Sequence, residues 1–191
     1  MRLVFASNND HKLQEVRAIM PAFIEVLSLN EIGFLQEIEE TGSTLEENSR
    51  IKAETVAAFI KDGMLIDGVF ADDTGLEIDA LHGAPGVYTA RWAGEPAANR
   101  KKALAELKGK ENRSAQFRTV VTLIKGGQMQ QVEGIVRGRI AEAESGTAGF
   151  GYDSLFIPEG YNCTFAELSS EEKNRISHRG RALEALVKIL K

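Results

Sequence analysis

Ala115-Gln116-Phe117-Arg118-Thr119-Val120-Val121-Thr122-Leu123-Ile124-Lys125-Gly126-Gly127-Gln128-Met129 reads as one long strand running into a glycine-bearing turn. Thr, Val and Ile suit a pleated, half-buried surface. Gly126-Gly127 then lets the chain return as a second strand over Met129 to Ile140, so the pair is an antiparallel hairpin. The N-terminus has a different grammar. Leu3-Val4-Phe5-Ala6 reads as a buried strand, Ser7-Asn8-Asn9-Asp10 as a polar loop, and His11 to about Met20 as a helix with Leu13, Val16 and Ile19-Met20 on one face. Phe23 to Leu27 gives a second strand. A βα opening and a long hairpin cannot share a purely parallel sheet, so the expected fold is α/β with a mixed sheet and flanking helices.

Between these parts lies Phe70-Ala71-Asp72-Asp73-Thr74-Gly75-Leu76. The apolar run before it, Met64-Leu65-Ile66 and Val69-Phe70-Ala71, reads as a buried strand that stops at a turn. A strand end that delivers carboxylates to a loop is where α/β proteins place chemistry. Adjacent strand residues point to opposite faces, so at most one of the two acids faces a ligand directly. Leu76 to Leu81 alternates as a half-buried strand, and Gly83-Ala84-Pro85-Gly86 is a rigid turn.

Helices are expected from the capping pattern Ser43-x-x-Glu46 to about Lys61, over Ala97 to Leu107, and from a second capping pattern, Ser169-x-x-Glu172, for roughly two dozen residues. The last carries Leu183, Leu186, Val187 and Leu190 on its core face. No linker or repeat divides the chain, and 1–191 is expected to be one domain.

With 191 residues, 43% hydrophobic and 27% charged, the chain has the makings of an ordinary globular core. A formal charge of −5 argues against a general nucleic-acid binder, which needs a basic surface. Cys163 is the single cysteine, so an intramolecular disulfide and a cysteine-built metal site are excluded, and it is expected to be a small buried residue. The N-terminus turns polar at Ser7, too early for a signal peptide, and no apolar run is long enough to span a membrane. The expected location is the cytoplasm.

Four groups of residues suggest chemistry. Ser7-Asn8-Asn9 with Lys12 sits between a strand and a helix start, where backbone N–H groups attract anions. The acidic run containing Glu37, Glu39 and Glu40 could pair with a distant Asp to serve a hard cation, since Mg²⁺ takes one or two carboxylates plus phosphate oxygens and water. Lys52 in the following helix reads as a lysine paired along its helix. Phe150 beside Gly151 offers an aromatic face for a base. Lys173, Arg175, His178 and Arg179 place positive charge in the first turns of a helix, against its dipole. Arg100-Lys101-Lys102 reads as ordinary helix surface.

In sequence order these residues resemble the inosine triphosphate pyrophosphatase family. The resemblance rests on Ser7-Asn8-Asn9-x-x-Lys12, Glu39-Glu40-Thr41-Gly42 with Glu47-Asn48-x-x-x-Lys52-Ala53, Ala71-Asp72-Asp73-Thr74-Gly75-Leu76 with Gly83-Ala84-Pro85-Gly86-Val87-Tyr88-x-Ala90-Arg91, Gly149-Phe150-Gly151-Tyr152-Asp153, and Glu172-Lys173-Asn174-x-Ile176-Ser177-His178-Arg179-Gly180. Ser154 departs from it, because the family usually has proline there. The resemblance implies an elongated mixed sheet with two lobes around a central nucleotide-binding cleft, and a homodimer. It implies Mg²⁺-dependent attack of water at the α-phosphorus of inosine, deoxyinosine or xanthosine triphosphate. Glu40 and Asp73 would hold Mg²⁺, with Asp73 also the proton acceptor. Ser7, Asn8, Asn9, Asp10, His11, Lys12, Lys52 and Thr74 would hold the phosphates. Phe150, Gly151, Tyr152, Asp153, Lys173, His178 and Arg179 would enclose the nucleotide. Alternatives left by the sequence are a Maf-like pyrophosphatase with another base preference, a metal-dependent phosphomonoesterase, and a nucleotide-binding regulator.

Overall fold

The computed structural model describes residues 1–61 and 63–191. The strands are β1 (Arg2–Phe5), β2 (Glu25–Leu27), β3 (Gly68–Ile78), β4 (Pro85–Gly86), β5 (Ser114–Lys125), β6 (Gln128–Ile140) and β7 (Phe156–Pro158). The helices are α1 (Asp10–Ile19), α2 (Leu45–Phe59), α3 (Pro96–Glu106), α4 (Ser170–Ile176) and α5 (His178–Ile189). The sheet is mixed, as the two opening motifs require. Its order is β2-β1-β3-β5-β6-β7, with β4 added to β3. β1 runs parallel to β2 and β3, whereas β3–β4 and β6–β7 are antiparallel. Gly126 and Gly127 both have positive φ, at 58° and 75°, which two-residue hairpin turns demand.

The chain forms two compact units. The first comprises Met1–Asp73, Thr119–Gly134 and Arg179–Lys191; the second comprises Thr74–Arg118 and Ile135–His178. In the first unit, strand alternation separates two apolar clusters. Leu3, Phe5 and Phe70 pack with Val16 of α1 and with Ala182, Leu183 and Leu186 of α5. Val4, Val69 and Ala71 pack with Ala53 and Val56 of α2. Phe5 and Phe70 are paired across the β1–β3 ladder, with ring centroids 5.0 Å apart. In the second unit Phe117, Phe156 and Phe165 form an aromatic centre with Leu76, Ile78 and Ile140.

Several sequence expectations are corrected. Met64-Leu65-Ile66 is not strand, and Leu65 is exposed. β3 does not stop at Asp72-Asp73 but carries both through to Ile78, after which Asp79–Leu81 is a 3₁₀ turn. Turn-forming residues are carried within a strand that lies between β1 and β5 in the sheet. The second strand starts at Glu25, leaving Phe23 half-exposed. The cap of α2 is Thr44, which accepts from Glu47 N, while Glu47 returns to Ser43 N at 2.6 Å; the pattern is shifted by one residue. The final helix is two: Ser177 adopts extended φ/ψ of −69°/161°, ending α4 just before α5 begins. Cys163 is half-buried rather than buried.

Candidate active site

Alternation along β3 explains the first cluster. Asp72 follows Phe70 onto the face covered by α1 and α5; Asp73 follows Val69 and Ala71 onto the face covered by α2. Both carboxylates are buried, and each meets cations from its own side. Lys12 of α1 donates to Asp72 Oδ1 at 2.9 Å, and Arg179 of α5 donates through Nε and Nη2 to Asp72 Oδ2 at 3.2 and 3.1 Å. Arg179 Nη1 also donates to Glu15. On the opposite face Lys52 Nζ lies 2.6 Å from Glu40 Oε1 and 3.1 Å from Asp73 Oδ1.

These surroundings set the proton affinities apart. Burial raises that of Asp72, but Lys12, Arg179 and Lys52 outweigh it and hold the carboxyl well below the usual range. For Asp73 burial prevails over Lys52 and Lys12, aided by Glu40 and Asp72, so its pKa lies above the ordinary carboxylate value. Burial pulls Lys52 down, but Asp73, Asp72 and Glu40 more than compensate and keep it a cation. The two neighbouring acids thus differ in kind: Asp72 is a fixed charge, and Asp73 is the one inclined to accept a proton.

Among the described residues no group of three or more His, Cys, Asp and Glu side chains is placed to hold a metal. Two carboxylates do converge on one cation, the Lys52 ammonium, and of the acid run it is Glu40 that meets it beside Asp73. Glu37 and Glu39 are exposed. Asp73 Oδ2 is buried and has no hydrogen-bond partner among the described residues. That orphaned oxygen, with Glu40, fits the sparse donor set Mg²⁺ uses when phosphate and water complete its shell.

The loop ahead of α1 is partly spent on structure. Asn9 caps the helix by accepting from Lys12 N at 3.1 Å, and Ser7 Oγ accepts from Asn9 N. Asn8, Asp10 and His11 are exposed, and Thr74 is half-buried.

A second cluster lies within the second unit. Lys173 Nζ donates to Asp153 Oδ2 at 2.6 Å and sits 5.0 Å from the centroid of the Phe150 ring. Asp153 also accepts from Phe150 N at 2.8 Å, folding the chain back across Gly151, whose φ is 62°. His178 stacks on Phe117 at 4.5 Å. Tyr152 is a core residue, with its hydroxyl on Thr89 O at 3.1 Å. The Arg179 guanidinium is chelated by Asp72 and Glu15 within the first unit.

Arg100 is a residue the sequence concealed. Instead of plain helix surface, its Nη1 donates to Gly151 O at 3.1 Å and its Nε to Glu144 at 2.8 Å. Ser154 Oγ donates to the same Glu144 oxygen at 3.1 Å. Ser154, the departure from the family resemblance, thus makes a hydrogen bond of its own. No local signal in the sequence marks these long-range partners.

Residues 3–189 match the sequence model of the Ham1 family. A dITP/XTP pyrophosphatase of Bacillus subtilis is 50% identical over 194 residues, covering 98% of this chain and 96% of that protein. One from Flavobacterium johnsoniae is 48% identical over 193 residues, covering 100% and 98%. Among solved structures, the Ham1 protein of Staphylococcus aureus superposes with a TM-score of 0.86 at 39% identity, covering 100% of this chain and 98% of that one.

Proposed function

The chain belongs to the Ham1 family, and from that premise we propose that it is a house-cleaning pyrophosphatase of non-standard purine nucleotides. It hydrolyses inosine, deoxyinosine and xanthosine triphosphates to the monophosphate and pyrophosphate. The observation that carries this reading is the Lys52 ammonium held between Glu40 and Asp73, with Lys12 on the neighbouring Asp72. Phosphoryl transfer asks for positive clamps, a cation site and a positioned base, with little covalent work by the protein.

In this reading Glu40 and Asp73 hold Mg²⁺, which when bound neutralises phosphate charge and polarises the reacting phosphoryl group. Asp73 takes the proton of the attacking water. Lys12 and Lys52 bind the phosphate chain, assisted by Ser7, the backbone N–H groups at the start of α1, and Thr74. Asp72 and Arg179 hold Lys12 in place and do not touch the reacting atoms. Phe150 stacks on the purine, Asp153 and Lys173 fix that ring's loop, and His178 flanks the base. The protein works in the cytoplasm as a homodimer, with neither nucleic acid nor membrane as partner. The net charge of −5 agrees with the former, and among the described residues no helix is long and apolar enough to cross a membrane.

Two results are expected. Lys12→Ala and Lys52→Ala should each raise KM for the triphosphate about 10- to 100-fold, the worth of one charged hydrogen bond, while affinity for the monophosphate changes far less. Steady-state kinetics beside product-inhibition constants checks this; equal losses would place the lysines away from the β- and γ-phosphates. A turnover panel of nucleoside triphosphates tests the function itself. Hypoxanthine and xanthine both present a 6-keto acceptor where adenine presents a donor, so inosine and xanthosine triphosphates should be turned over far faster than adenosine triphosphate. Efficient hydrolysis of adenosine triphosphate would overturn the proposal.

A further inference from the structure

We propose that Asn48 is a positioning residue that holds Glu40 at the cation site, an inference that rests on the Glu40–Asp73 reading above. Asn48 is fully buried on α2, one turn before Lys52 and on the same helical face. Its Oδ1 accepts from Gly42 N at 2.8 Å, and Gly42 lies two residues beyond Glu40. The segment from 35 to 42 is irregular, so this bond ties the acid loop to α2. Contact there is tight: a Cβ on Gly42 would lie 2.6 Å from Asn48 Oδ1 and 2.6 Å from Glu47 Cβ. Glycine is therefore favoured by the close approach of this loop to the Asn48 and Glu47 side chains.

Asn48 Nδ2 is buried and has no hydrogen-bond partner among the described residues. Such a donor is costly to bury, and an apolar residue would avoid the cost. The need of Gly42 N–H for an acceptor fixes the amide's orientation, and that single bond is what the asparagine contributes. α2 thus presents both parts of the charge pair. It carries Lys52 itself, and through Asn48 it holds the loop that brings Glu40 to 2.6 Å from Lys52 Nζ.

The test is Mn²⁺ binding to the full chain without nucleotide, followed by electron paramagnetic resonance, so that turnover is not the readout. Asn48→Ala and Gly42→Ala should each weaken Mn²⁺ binding about 10- to 100-fold, as loss of an outer-shell partner does. Asn48→Asp keeps an acceptor for Gly42 N–H and should bind Mn²⁺ as tightly as the unmodified protein or more tightly. A purely structural role would not be rescued by a buried acid. Glu40→Gln serves as the control. If Glu40→Gln weakens binding while folded Asn48→Ala or Gly42→Ala does not, the role of Asn48 is overturned and the cation site stands. Should Glu40→Gln bind Mn²⁺ normally, the cation reading falls and this inference with it.

Discussion

Asp73→Asn is expected to lower kcat by roughly 10²- to 10⁴-fold, the usual worth of a positioned general base, with no loss of thermal stability. The amide can neither accept the proton of water nor carry charge toward a cation. Stability should hold because the native fold disfavours the Asp73 charge: burial dominates its surroundings, and Oδ2 has no partner among the described residues. Removing that charge leaves Lys52 still paired with Glu40 at 2.6 Å. Asp72→Asn should show the reverse pattern, a clear fall in melting temperature with a smaller loss of kcat. Its carboxylate is the shared partner of Lys12 and Arg179. Calorimetry and kinetics on the two variants check this; an inactive Asp72→Asn beside an active Asp73→Asn would exchange their roles.

The largest stability effect is expected at Arg179. Its guanidinium is fully buried and joins Asp72 of β3 to Glu15 of α1, so it couples α5 to the rest of the first unit. Arg179→Met leaves both carboxylates without that cation, and breaking a buried pair from one side costs about 3–5 kcal/mol. For a chain of this length that is a fall of roughly 6–20 °C in melting temperature. Arg179→Lys should recover little, because an ammonium cannot reproduce the Nε and Nη2 fork on Asp72 Oδ2. A melting temperature within about 2 °C of the unmodified protein, a shift worth under about 1 kcal/mol, would show that the pair contributes little.

What the sequence disclosed was mostly local. Gly126-Gly127 announced the hairpin, the N-terminal βα unit announced the parallel pairs, and their coexistence required a mixed sheet. Period-two alternation foretold that Asp72 and Asp73 face opposite ways. What lay behind each face was not legible, because Lys12, Lys52 and Arg179 reach these acids across 60, 21 and 107 residues. Distance in sequence also hid the Arg100–Glu144–Ser154 contacts and the chelation of Arg179 by Asp72 and Glu15. The break at Ser177 carries no proline or glycine, and the apolar periodicity of Leu183 to Leu190 fits one helix as well as two. Turn chemistry misled at Asp72-Asp73-Thr74-Gly75, where a central strand overrode local propensity.

The central claim is that water attacks the α-phosphorus of a 6-keto purine triphosphate, with Asp73 accepting its proton. Hydrolysis of inosine triphosphate in ¹⁸O-labelled water, followed by phosphorus NMR through the first turnovers, tests it most directly. The predicted result is inosine monophosphate carrying the label, together with unlabelled pyrophosphate and no orthophosphate. Label in the pyrophosphate would place attack at the β-phosphorus, and orthophosphate with inosine diphosphate would place it at the γ; either contradicts the claim.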